Sequence, residues 1–344
     1  MSYGQELKAK LGQANFIKGW VVLLAAIVCT IYIALLALSF GSSEVSLLDF
    51  FKALVEGDTN NPAYRIIYFS RLPRVLGALL AGSALAVAGT IMQAVLQNPL
   101  ASPNIIGINN GAGFFVLATS VLLPGRPAML PLSAFLGALL TALVIFALAM
   151  GRGSTKLSLV LTGIAMSSIL GAGMNVIMLL FPDAYIGAST FLVGGLSSVT
   201  MDSLQFAILY IVCGLAMALL LRREMNIIAL GSNAAKALGM AVTTTRFLLI
   251  ATAAVLTGAA VSFAGLIGFV GLIVPHALRF LIGSDHRVLI PASIFAGAGF
   301  VTFCDFISRI VFSPYEVAVG ILLSLSGGPF FIYLVIRSRR THND

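Results

Sequence analysis

The chain has 344 residues, of which 59% are hydrophobic and only 9% charged, with a net charge of +8. A soluble domain carries roughly 25% charged residues, so the composition excludes a soluble globular protein and implies an integral membrane one.

Crossing a hydrocarbon core of roughly 30 Å takes about 18 to 25 apolar residues in a helix, and stretches of that kind recur from end to end. Read in chain order they cover 17–40, 73–97, 104–123, 128–150, 157–181, 202–221, 245–265, 267–283, 288–305 and 316–336. The expected fold is therefore an all-α membrane protein of about ten transmembrane helices, forming one domain over 1–344. Lys8, Lys10 and Lys18 precede the first stretch as a signal peptide's basic start would. Its apolar part is longer than a signal core, which makes it an uncleaved first helix. The eighth stretch is short and holds Pro275. It is expected to be broken or partly re-entrant, which is tolerable only where neighbouring protein satisfies the freed backbone groups. Cys29, Cys213 and Cys304 lie far apart within spans; they form neither a disulfide framework nor a zinc spacing and read as packing residues.

Lys and Arg are retained on the cytoplasmic side. With both termini inside, the cytoplasmic connections hold fourteen of the twenty basic residues and four of the twelve acidic ones. The positive charge therefore follows from membrane topology and calls for no nucleic-acid partner. The expected location is a bacterial or archaeal inner membrane, crossed many times, with both termini cytoplasmic.

Residues 80–99, LAGSALAVAGTIMQAVLQNP, align with 256–275, LTGAAVSFAGLIGFVGLIVP, pairing Gly82 with Gly258, Gly89 with Gly265 and Pro99 with Pro275. Five crossings separate the copies, so they run in opposite senses. This is an inverted repeat, relating the second to fifth helices to the seventh to tenth, and such repeats commonly build carriers. The 34 glycines allow close helix packing where lipid offers little hydrophobic drive.

No complete phosphate-binding loop occurs: GRGSTK at 151–156 has the composition but not the order. His276, His286 and His342 share no metal-ligand spacing with a carboxylate pair. The sequence thus implies a non-catalytic chain with no metal or cofactor of its own. Arg71 and Arg74, three apart with Pro73 between them, share a helix face at the expected outer start of the second helix. Positive charge there opposes the helix dipole, which points to an acidic partner or to lipid phosphates. Arg279 lies about a turn from Gly283, so its stem can snorkel and avoid the roughly 2.5–3.5 kcal/mol of a mid-bilayer charge. His276 shares its face and is expected to bond within the bundle near the loop after the sixth span. Pro275 is expected to start or break the helix, and Asp285 to cap the next one.

Three stretches carry a family resemblance. In NIIALGSNAAKALGMAVTTTR, Gly231 and Gly239 bracket a helix-compatible run, and Asn233, Ala234, Ala235 and Gly239 match the coupling-loop pattern E-A-A-x-x-x-G of ABC importer permeases, with Asn in place of Glu. Residues 71–114 and 265–291 resemble the signature segments of the FecCD-type, BtuC-like permeases, which import ferric siderophores, haem and vitamin B12. The resemblance implies a homodimer, or a heterodimer of close paralogues, with two cytoplasmic ABC ATPases that bind ATP and Mg, and an extracytoplasmic substrate-binding protein. It assigns Arg71, Arg74 and Arg309 to docking of the binding protein, and Gly231, Asn233, Ala234, Ala235 and Gly239 to ATPase coupling. It assigns Ser154 and Thr155 to a cytoplasmic gate, while Pro275, His276 and Arg279 read as structural anchors. The expected activity is inward movement of cargo, ferric siderophores first and haem or cobalamin as alternatives, by alternating access. A secondary transporter of similar repeat design would need an intramembrane carboxylate, and every acidic residue falls in a connection or at a span end. A non-transporting scaffold would leave the arginine pair and the coupling loop without a role.

Overall fold

In the computed structural model, which describes residues 3–41, 47–149, 156–311 and 315–340, each of the ten apolar stretches is a helix. Seven are long and apolar enough to cross a membrane, and Ile108–Leu122, Val270–Ile282 and Val319–Tyr333 are shorter apolar helices. In chain order, α1 (Tyr3–Ser39) is followed by two helices the hydropathy did not separate, α2 (Leu47–Glu56) and α3 (Pro62–Ile66). A π-turn over Ile67–Arg71 joins α3 to α4 (Leu72–Leu96). Next come α5 (Ile108–Leu122), α6 (Leu130–Ala149), α7 (Lys156–Leu180), the added helix α8 (Pro182–Val193) and α9 (Met201–Leu220). Two short helices, α10 (Arg222–Ala229) and α11 (Ser232–Ala237), lead to α12 (Val242–Ala264), α13 (Val270–Ile282), α14 (His286–Ile310) and α15 (Val319–Arg340).

Local chemistry sets the ends. α4 stops where Gln97 turns left-handed (φ 50°, ψ 40°) and Asn98 N–H bonds back to Gln93, a Schellman-type closure ahead of Pro99, which could not continue the helix. α12 stops at Gly265, with φ +70°. Asp285 caps α14 as expected, its carboxylate accepting from Arg287 N–H.

The core is α4, buried along most of its length among α12, α13 and α14. Its glycines make that possible: a Cβ on Gly82 would lie 2.2 Å from the Gly297 carbonyl oxygen, and one on Gly89 would lie 1.9 Å from that of Gly271. Only backbone fits at these crossings.

The repeat is visible in the packing. Gly77 near the start of α4 faces Phe263 near the end of α12, while Leu96 and Ile250 line one cleft toward the opposite ends, so the two helices are antiparallel. Exchanging α4–α7 for α12–α15 preserves the neighbours. α4 packs on α14 as α12 packs on α6; α5 packs on α6 as α13 packs on α14; and α6 packs on α7 as α14 packs on α15. The constant sequence offset does not persist through its second half. Gly89 lies mid-helix where Gly265 ends one, and Pro99 follows a helix where Pro275 lies inside one. The first copy keeps its helix to Leu96 because Gln97, not Gly89, takes the left-handed turn.

Candidate functional site at the two membrane faces

At the end of the helical body expected to face outward, the structure brings Arg71, Arg74 and Arg309 together, an outer cluster that is not a free basic patch. The residues are only 4%, 8% and 3% exposed. Arg71 donates to the Leu38 and Ser39 carbonyl oxygens, both at 2.8 Å, and Arg309 to that of Ala37 at 3.1 Å. These are the acceptors that the last turn of α1 leaves unsatisfied. Arg74 Nε bonds both Asp305 oxygens, at 2.9 and 3.1 Å, and its Nη1 donates to Glu316 at 2.6 Å. Arg309 Nε lies 3.3 Å from Asp305, an ion pair not aligned as a hydrogen bond.

Two expectations are corrected here. Helical backbone begins at Pro62 and continues through the π-turn, so Arg71 and Arg74 occupy no free helix N-terminus and the dipole argument does not apply to them. Asp305 was placed at a span end, yet α14 runs on to Ile310. Its carboxylate lies inside the helix, 1% exposed and held between two guanidiniums.

At the opposite end, expected to be the inner face, α11 lies between Gly231 (φ +110°) and Gly239 (φ +79°). Ala235 is buried and anchors the helix, while Asn233, Ala234 and Lys236 are exposed. Leu230 and Leu238 flank the helix as exposed apolar side chains. The helix is fastened from behind: Arg246 of α12 donates to Ser232 Oγ at 2.7 Å. The preceding α10 is pinned to the turn before α14 by Asn226. Its amide nitrogen donates to Asp285 at 2.7 Å, and its oxygen accepts from the backbone N–H of His286 at 2.9 Å and lies 2.7 Å from its Nδ1. Because that oxygen is an acceptor, His286 carries its proton on Nδ1. Burial alone would raise the Asp285 pKa; the hydrogen bonds from Arg287 N–H and Asn226, with the nearby positive charge, hold it below the ordinary value. Gln97 ties the same region to the foot of α7, donating to the Ile228 carbonyl oxygen at 2.5 Å and accepting from Lys156. The sequence reading overlooked Asn226, His286 and Gln97; the available signal was the polar residue stopping α4 and the histidine beside the capping Asp285. Ser154 and Thr155 of the expected gate lie outside the described residues.

Pro275 neither starts nor breaks α13; it sits inside it. A proline lacks the N–H that would bond the carbonyl four residues back. That carbonyl, Gly271 O, accepts instead from Gln93 of α4 at 3.3 Å, so the helix continues. His276 faces Phe330 edge-on, ring centroids 6.0 Å apart, and the Pro99 backbone. Among the described residues, the histidine bonded to the connection after α9 is instead His286, which meets Asn226 of α10. Arg279 is half-buried, with its Nε and Nη2 unpartnered among the described residues.

Antiparallel repeats packed into one helical body, with short helices exposed at one end, define a polytopic membrane permease. The chain belongs to the FecCD transport family, whose model matches residues 27–337. It is 36% identical over 312 residues to the iron-uptake system permease protein FeuB of Bacillus subtilis, covering 90% of this chain and 93% of that one. To the hemin transport system permease protein HmuU of Yersinia pestis it is 37% identical, covering 89% and 94%. To the cobalamin import system permease protein BtuC of Halobacterium salinarum it is 40% identical, covering 77% and 72%. A solved structure described as a metal-chelate type ABC transporter in an inward-facing conformation matches with a TM-score of 0.81 at 27% identity, covering 92% of this chain and 99% of that one. The chain is thus the non-catalytic permease subunit of an ABC importer, in which separate subunits hydrolyse ATP.

Proposed function

We propose that this permease imports ferric siderophores, working as a pair of such subunits in a cell membrane with two cytoplasmic ATPases that bind ATP and Mg, and with an outer binding protein. The observation that carries this reading is α11, an exposed short helix bracketed by Gly231 and Gly239 and flanked by Leu230 and Leu238. Apolar side chains exposed beside a rigid helix are what a partner's cleft covers. Seated in an ATPase, α11 passes its movement to α12 through Arg246 and Ser232, and α10 passes it to α7 and α14 through Gln97 and Asn226. Ser154 and Thr155, just ahead of α7, then act as the gate. Iron complexes are the favoured cargo because five of eight similar permeases carry iron in their names; haem and cobalamin are the alternatives. Docking of the binding protein is assigned to the outer cluster. There Arg74 exchanges Glu316, whose side chain is 33% exposed, for an incoming carboxylate. The topology has both termini cytoplasmic and the whole chain as one permease domain.

The test is uptake of labelled ferric siderophore, haem and cobalamin by proteoliposomes holding the permease, its ATPase and its binding protein. ATP-dependent uptake of the siderophore alone is expected. Uptake of cobalamin or haem in its place overturns the cargo, and uptake driven by an ion gradient without ATP overturns the class.

A further inference from the structure

A cleft at the cytoplasmic ends of α4, α6, α7 and α12 holds two cations. It is partly open to solvent and is lined by Val95, Leu96, Phe146, Leu159, Lys156 and Arg246, among others. Arg246 is 9% exposed; among the described residues its Nε has no hydrogen-bond partner, and its Nη2 donates to the neutral Ser232 hydroxyl. Among the described residues, Lys156 donates to the amide oxygen of Gln97. Neither is ion-paired with a carboxylate among the described residues, whose ion pairs all lie in the outer cluster. A guanidinium cannot shed its proton, and a buried charge without a counter-charge is strongly unfavourable. The rest of the cleft is apolar and supplies no compensation.

The geometry points to a phosphate group as the missing partner: Lys156 and Arg246 form an anion site that takes a phosphate oxygen in the cytoplasmic headgroup layer. Basic pockets between transmembrane helices on the cytoplasmic side bind anionic lipid headgroups, and Arg with Lys is a suitable donor set for phosphate. Apolar Phe146 and Leu159 beside the cations match a headgroup followed by its acyl chain. The site stands where Arg246 holds the first residue of α11 and Lys156 begins α7, so its occupant touches both the coupling helix and the foot of α7.

The assembled complex, in nanodiscs of zwitterionic lipid with or without phosphatidylglycerol, is compared with the Lys156→Gln/Arg246→Gln variant. Native mass spectrometry reads retained lipid, and a thermal midpoint reads stabilisation by lipid or by inorganic phosphate. Two basic contacts are worth roughly 30-fold in affinity, so phosphatidylglycerol is retained by the wild type and weakened by that factor in the variant, while Arg246→Lys keeps most of it. Should the double variant not fold, Lys156→Gln alone carries the test at about fivefold. Stabilisation by inorganic phosphate without lipid preference identifies soluble phosphate as the source; stabilisation by phosphatidylglycerol alone identifies the headgroup. Equal retention by wild type and variant, or stabilisation by chloride as strong as by phosphate, overturns the site. None of these readouts depends on which cargo is carried.

Discussion

Replacing Asp305 by Asn leaves two buried guanidiniums without the carboxylate between them. Breaking a buried pair by removing one partner costs about 3–5 kcal/mol. Here Arg74 retains Glu316 at 2.6 Å and Arg309 retains the Ala37 carbonyl at 3.1 Å, which places the loss near the lower end, at about 3 kcal/mol. With an unfolding entropy of ~2.1 cal/mol/K per residue, that lowers the thermal midpoint of the chain by roughly 4 °C. Glu316→Gln is the internal comparison. Its side chain is a third exposed, and exposed pairs contribute about 0–1 kcal/mol. Both variants are measured by thermal unfolding in the same detergent. An Asp305→Asn midpoint no lower than that of Glu316→Gln would refute the view that the outer cluster is a buried structural network.

The other expectations concern the inner face and α13. Gly239→Asp forces a Cβ into a left-handed backbone (φ +79°) at a strain of about 1–2 kcal/mol; it should abolish co-purification with the ATPase and uptake while membrane insertion persists. Asp285 has a lowered pKa in the folded protein, so its contribution is present above the unfolded value of 3.8 and is lost as pH falls through the lowered folded one. The stability gap between wild type and Asp285→Asn should therefore be constant near neutrality and close only below about pH 4. Gln93→Leu removes the donor to Gly271 O but also a buried unpartnered oxygen; thermal unfolding should show a loss near 1 kcal/mol, and no loss would mean that α13 needs no help at Pro275.

The ten helices, the Asp285 cap and the bracketing of α11 by Gly231 and Gly239 were legible in the sequence, because hydropathy, capping and left-handed turns depend on residues a few positions apart. The family signatures were equally local. The partners of the charged and kinked positions were not legible. Arg74 pairs with a carboxylate 231 positions away, the backbone gap at Pro275 is filled from a helix 178 positions earlier, and the histidine that meets α10 is His286, not His276. In a membrane an unsatisfied polar group costs several kcal/mol wherever it lies, so each of these residues had to find a partner. For Arg74 and for the Gly271 carbonyl, the partner was decided only when the two repeats packed against each other; for His286, only when α10 folded onto the start of α14.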